Sequence, residues 1–248
     1  MMNPAEFANI AKAENDFWWY RGMRHIMFGL LDPVARERKF GRVLEAGCGT
    51  GHFAQELAHR YQWPMFPLDL GWEGLEYGKG LGINRLTQGD IQTLPYSDAA
   101  FDAVVSMDVI VHMPRGEELK PMQEFHRVLK PGGFLALRAS ALDVLRSQHS
   151  QHAMERQRFT RSRLVQLAEN SGFNVRRCTY ANALLLPVAL LKFRVVEPLL
   201  GGEPQSGVRP VAPWLDKLLY GPLKAESKLL PAVNLPLGQS LILLAERR

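Results

Sequence analysis

Residues 43–51 read VLEAGCGTG, and no other stretch of this chain restricts its fold so tightly. A short apolar run suited to a strand meets Gly47, Gly49 and Gly51, spaced at every second position. Glycine reaches positive φ without a Cβ clash, so this spacing predicts a sharp turn that bares backbone amides just after a strand. At the start of the next helix, such N–H groups face an incoming ligand. Dinucleotide-binding folds use G-x-G-x-x-G for the purpose. Here the third glycine arrives one residue early, and Glu45 stands two residues before the first. A carboxylate at that point repels a pyrophosphate and favours a ligand that carries positive charge.

The rest of the chain supplies the frame. Strand-like runs are expected at 42–46, 63–69, 84–88, 101–107, 134–140, 173–180 and 240–246. Pro64 and Pro67 suit the second run to an edge or an irregular strand. The fourth, FDAVVSM, is continuously apolar, as a strand buried on both faces is. Helical stretches are expected at 51–60, 72–78, 116–129 and 161–171. Gly172 closes the last of these, and the LKPGG sequence is read as a turn into the fifth strand. Strands alternating with helices predict an α/β fold, a doubly wound, mostly parallel sheet covered on both faces. Two parts stand outside the alternation. Residues 1–40 read as a helical lid containing FWWYRGMRH, and residues 184–238 as a helical insertion. The sheet-forming core takes in 41–183 and 239–248.

Composition narrows the setting. At 46% hydrophobic and 22% charged residues the chain can bury a large core, and its net charge of +5 is mild. The arginines at 156, 158, 161, 163, 176 and 177 form basic clusters that read first as solvated faces and second as a lure for an anionic partner. The two cysteines, Cys48 and Cys178, give neither a disulfide framework nor a zinc spacing, and no metal is expected. No signal pattern opens the sequence and no run of about 18 apolar residues occurs, so a cytoplasmic location is the default.

The pattern E-x-G-C-G-x-G resembles the first motif of the class I S-adenosylmethionine-dependent methyltransferases, small-molecule type 11-like members in particular. GDIQTLPY (89–96), FDAVVSMDVIVHM and FHRVLKPGGFLAL resemble that family's next segments, in the same order. The resemblance implies a seven-stranded Rossmann-like sheet with its last strand antiparallel. It implies S-adenosylmethionine as cofactor and S-adenosylhomocysteine as product. The implied cofactor set is Glu45, Gly47, Cys48, Gly49, Gly51, Asp69, Leu70, Asp90, Ile91 and Met107, with Arg21 or Arg24 of the leader on the cofactor carboxylate. In this resemblance Asp69 takes the ribose hydroxyls, Asp90 the adenine amino group and the Ile91 backbone the ring edge.

For the acceptor, His112 is the candidate general base, since its free pKa near 6.5 suits a phenol, thiol or amine. Shaping the pocket is its alternative role. Trp18, Trp19, Tyr20, His25, Arg138 and Trp214 are candidates for acceptor contact, and His149 and His152, in a stretch read as loop, are weaker ones. The expected acceptor is a small or medium-sized, partly apolar molecule, methylated on oxygen, nitrogen, sulfur or activated carbon. The insertion leaves open a homodimer interface or a peripheral membrane contact. Three other functions remain: nucleic-acid methylation, disfavoured because N-P-P-Y, D-P-P-Y and P-C motifs are missing; a nicotinamide-dependent oxidoreductase, disfavoured by Glu45; and a cofactor-binding scaffold without catalysis.

Overall fold

A computed structural model describes residues 3–201, 203–208 and 211–248. Two helices lead the chain, α1 (Pro4–Ala13) and α2 (Trp18–Glu37). The alternating part follows with β1 (Val43–Ala46), α3 (His52–Tyr61), β2 (Met65–Asp69), α4 (Trp72–Gly80), β3 (Thr87–Gln88), β4 (Phe101–Met107), α5 (Leu119–Val128) and β5 (Leu129–Ser140). After the short α6 (Gln148–His152) come α7 (Arg161–Asn170) and β6 (Phe173–Ala181). The insertion forms α8 (Leu186–Leu191), a π-helical stretch Lys192–Val196, α9 (Glu197–Leu200) and α10 (Pro213–Leu229), and β7 (Ser240–Arg247) closes the sheet.

The seven strands lie in the order β3-β2-β1-β4-β5-β7-β6. Neighbours from β3 to β5 are parallel, and β7 runs antiparallel to both β5 and β6. Strand order reverses at β1, which lies between β2 and β4, so a crevice opens at the carboxyl ends of β1 and β4. Central strands are buried on both faces, which is why β4 and β7 are almost unbroken apolar runs. One core layer gathers Phe101, Phe125, Phe159 and Phe173. The opposite layer gathers Met23, Ile26, Met27 and Leu31 of α2 with Leu57 and Leu223.

Several local features depart from the sequence reading. β2 is not an edge strand, but β3 pairs only with Leu68 and Asp69, so Pro67 lies where no strand flanks the far side. LKPGG lies within β5, and the ladder slips there: Phe101 faces Leu129 while Ala103 faces Phe134. Residues 130–133 therefore bulge out of register, with Gly132 at φ +72°. The stretch around His149 and His152 is a helix rather than a loop, because Ser147 and Ser150 form a reciprocal capping box.

Helix α10 lies flush on α2. A Cβ on Gly22 would come within 2.2 Å of Leu223, and one on Gly29 within 2.3 Å of the Ser227 carbonyl. Only residues without side chains allow the two axes so close. Another part of the insertion, Leu185 to Leu200, reaches the crevice at the strand ends.

Candidate functional site

A cavity of about 900 Å³ occupies the crevice at the switch point. Its floor is the glycine loop. Gly47, Gly49 and Gly51 take φ values of +82°, +56° and +77°, the left-handed region that side chains resist. A Cβ on Gly47 would strike Val109, one on Gly51 would strike Ile83, whereas one on Gly49 meets nothing within 4 Å. Gly49 thus presents bare backbone to the cavity, and Gly51 acts instead as the N-cap of α3.

Asp69, at the carboxyl end of β2, holds this loop in shape. Its carboxylate accepts N–H bonds from Gly49 at 2.8 Å and from Gly71 at 2.7 Å. Burial raises its pKa, and these amide bonds oppose the rise. Glu45 is more deeply placed: it is 2% exposed, and one carboxylate oxygen, Oε2, is buried without a hydrogen-bond partner. Burial, then the nearby Asp69 charge, pushes its carboxyl well above the usual carboxylate range. Glu14 adds a third acid, accepting from the Thr50 hydroxyl. The floor therefore gathers three acids whose ionised forms burial disfavours, and a cationic group would favour them.

Beside the floor, Leu70, Asp90, Ile91, Cys48 and Met107 all line the cavity. Cys48 is buried, and its thiol pKa is pushed up by burial and then by Glu45, which makes it a poor nucleophile. His112 lies on a 3₁₀ turn just after β4 and also faces the cavity. Its Nδ1 is 3.2 Å from the Met154 carbonyl. A carbonyl only accepts, so Nδ1 carries the proton and Nε2 keeps its lone pair. Burial lowers the pKa of the ring, so the neutral form prevails at neutral pH.

The leader helix brings Trp18, Trp19 and Tyr20 to the cavity wall. Arg138 of β5 is 3% exposed, lies 4.6 Å under the Trp19 ring, pairs with Asp108 and donates to the Ser240 hydroxyl at 2.9 Å. Asp108 takes φ +58°, a conformation that costs a non-glycine residue about 1–2 kcal/mol. Its Oδ1 is buried without a partner. Strain and an unmet acceptor thus coincide on the cavity wall at the end of a central strand.

Of the expected leader and acceptor residues, Arg21, His25, His152 and Trp214 lie off the cavity wall. Arg21 pairs with Asp216 of α10 and stacks 4.5 Å over Tyr220. Arg24 is the leader arginine on the cavity wall, where it pairs with Glu56 at 2.7 Å and donates to the Glu14 carbonyl. His25 is off the wall, 3.0 Å from the Tyr220 hydroxyl. Trp214 is 68% exposed and does not line the cavity. His149 does line it, while His152 Nε2 lies 3.2 Å from Glu6 Oε2.

The insertion supplies a wall that single-residue reasoning missed. Leu185, Val188, Ala189, Phe193, Val196 and Leu200 face the cavity. Their spacings of three and four form one helical stripe, a signal already present in the sequence. Above them, segment 205–208 is tied down by Ser206, whose hydroxyl donates at 2.7 Å to the buried Glu6 of α1. The basic clusters, by contrast, are largely spoken for. Arg158 bonds Glu155 and the Ala141 carbonyl, Arg163 pairs with Glu118, Arg176 with Glu246, and Arg177 caps the carbonyls that end α10.

Asp69→Ala removes two charge-assisted amide bonds that shape the loop as well as a cavity-facing acid. It is expected to weaken binding of the loop's ligand by about 1.5–3 kcal/mol, roughly ten- to a hundredfold. Calorimetric titration of the folded variant with S-adenosylhomocysteine checks this, and a wild-type affinity would refute the role.

Residues 44–137 match the family described as "Methyltransferase domain". A "Fatty-acid O-methyltransferase" from Mycolicibacterium smegmatis is 36% identical over 97 residues, 38% of this chain and 35% of that protein. "Sterol 24-C-methyltransferase ERG6B" from Gibberella zeae is 34% identical over 104 residues, 39% of this chain and 27% of that one. The chain thus spans about a third, or less, of the length of these relatives. Among solved structures, the complex of the Haloferax volcanii Trm112 methyltransferase activator and a methyltransferase superposes with a TM-score of 0.59 at 16% identity, covering 97% of each chain. That likeness concerns the fold.

Proposed function

We propose that this chain, whose residues 44–137 match a methyltransferase domain, is a class I S-adenosylmethionine-dependent methyltransferase that holds its cofactor against the glycine loop and directs the methyl group to a small, partly apolar acceptor. One observation carries the reading: the unpartnered Oε2 of Glu45, buried on the wall of an acid-lined cavity beside bare backbone. A buried carboxylate without a partner is costly, and an ammonium group satisfies it where a pyrophosphate aggravates it. Asp69 keeps lone pairs beyond those used by the two loop amides, enough to accept from a ribose diol. Asp90 and Ile91 stand beside it for the base.

When bound, the cofactor supplies a methyl carbon already activated by a sulfonium leaving group. The chain contributes alignment, exclusion of water and removal of a proton. Trp18, Trp19 and Tyr20 close one side of the cavity, and the stripe from Leu185 to Leu200 closes another with apolar surface. Neutral His112, held through Nδ1 by the Met154 carbonyl, would take the acceptor proton at Nε2. The apolar wall, together with relatives named for fatty acids and sterols, supports an acceptor with a hydrocarbon body.

The test is acceptor-dependent release of S-adenosylhomocysteine. The chain is incubated with methyl-labelled cofactor and a panel of long-chain carboxylic acids, phenols and amines. Label in at least one acceptor is the expected result. A chain that binds cofactor yet labels none of the panel would instead be a scaffold.

Glu45 adds a pH signature. Because its folded pKa is raised, the stability linked to its protonated form is complete below the ordinary carboxyl range and is lost as pH rises through the raised value. A bound ammonium needs the carboxylate, so binding should release protons in the range between the two. Calorimetry in buffers of different ionisation enthalpy should therefore give different apparent heats. Glu45→Gln should abolish that difference and weaken binding about tenfold or more.

A further inference from the structure

The outward side of the insertion carries apolar groups that no described residue covers. Leu184, Leu191, Val195 and Leu199 are 57%, 58%, 45% and 80% exposed. Leu191, Val195 and Leu199, spaced by four, lie along one side of the segment that runs through α8, the π-helical stretch and α9, and Leu184 stands in the turn just before it. Isolated exposed leucines are ordinary, whereas a row of them on one short segment marks a contact surface.

We propose that this face of residues 184–200 is a docking surface for an anionic lipid bilayer. Charge selects that occupant. Arg194 is exposed on the same segment, Lys192 is exposed where that segment meets the cavity, and no ion pair to a carboxylate is formed by either among the described residues. Glu197, the segment's only acid, turns inward and accepts the Gln148 N–H at 3.0 Å. The segment therefore offers apolar side chains flanked by uncompensated positive charge, the pairing that places a helix at the headgroup boundary of anionic membranes. Among the described residues no helix is long and apolar enough to cross a membrane, so the segment lies on the surface.

Continuity with the cavity is the second argument. Val188, Val196 and Leu200 are 53%, 40% and 81% exposed and also line the cavity. The apolar wall and the outer row thus meet at one rim. A bilayer seated on that rim would meet the mouth of the cavity, and an acceptor with a hydrocarbon tail would enter from the lipid without crossing water. This last step rests on the methyltransferase reading, whereas the docking surface does not.

The experiment is flotation with vesicles of phosphatidylcholine, alone or containing phosphatidylglycerol, without cofactor or acceptor. The full chain should float with the anionic vesicles, and added salt should weaken the association. The double variant Leu191→Glu, Leu199→Glu, at two positions outside the cavity wall, should reduce partitioning by about a hundredfold. Its circular dichroism and its affinity for S-adenosylhomocysteine should match the parent, which ties the loss to the surface and not to folding. Absence of flotation overturns the proposal, as does equal flotation of the double variant. A dimer seen by sedimentation without lipid, and abolished by the same substitutions, would reassign the face to a second copy of the chain. Failure in these assays leaves the methyl-transfer test untouched, because no turnover is read.

Discussion

Gly49→Val is expected to abolish binding of S-adenosylhomocysteine in a protein that stays folded. Gly49 is the one loop glycine whose added Cβ meets no protein atom, so the side chain would project into the cavity rather than into the core. Its φ of +56° adds a strain of about 1–3 kcal/mol for a side-chain-bearing residue, a cost the fold can absorb. Binding cannot absorb it, because a ligand lying against bare backbone has no room for an isopropyl group. Affinity should fall by more than about a hundredfold, or 2.7 kcal/mol. Gly47→Val would not separate the two effects, since its Cβ would lie 2.2 Å from Val109 and disturb the loop itself. Calorimetry with circular dichroism as a folding control decides the matter. An unchanged affinity in a folded variant would move the ligand away from the loop.

His112→Ala should lower kcat by about a hundred- to ten-thousandfold, the range for loss of a positioned general base. Affinity for S-adenosylhomocysteine should hardly change, because His112 lines the cavity from the turn after β4 and not from the glycine loop. The pH profile carries the sharper test. Burial lowers the His112 pKa below its ordinary 6.5, so wild-type activity should fall only when acid protonates Nε2 below that value. In the variant that acidic limb should vanish. A variant that is slower but keeps the same limb would make His112 a group that shapes the cavity.

The parts of this architecture that were legible in sequence are those fixed by local backbone demands. A glycine loop needs positive φ at given positions, and VLEAGCGTG declares them. The buried parallel strands appear as continuous apolar runs, and Gly172 marks the end of α7 because a left-handed residue must stand there. Asp69, Asp90 and Met107 reach the cavity because each stands at or just past the end of a strand that the pattern had located.

What was hidden depends on partners far along the chain. Arg21 looked like a cofactor ligand, but Asp216, 195 residues later, claims it. His25 is likewise taken by Tyr220, and Trp214 lies on the solvent side of α10. Such pairings follow from α2 and α10 lying flush through Gly22 and Gly29, and nothing in the local sequence announces that contact. Glu14 and Asp108 escaped notice for a related reason. One is placed by its bond to Thr50 and the other by a strained turn just past β4. The insertion stripe was readable in principle, since its three-and-four spacing is a helical period, but which side faces inward is set by the sheet beneath it.

The central claim is that bare loop amides ringed by Glu45, Asp69 and Asp90 accept a cationic nucleoside without phosphate. Separate calorimetric titrations with S-adenosylmethionine and NADH test it most directly. The account predicts one saturable site for S-adenosylmethionine and no heat of binding for NADH. Saturable binding of NADH with none for S-adenosylmethionine would contradict it.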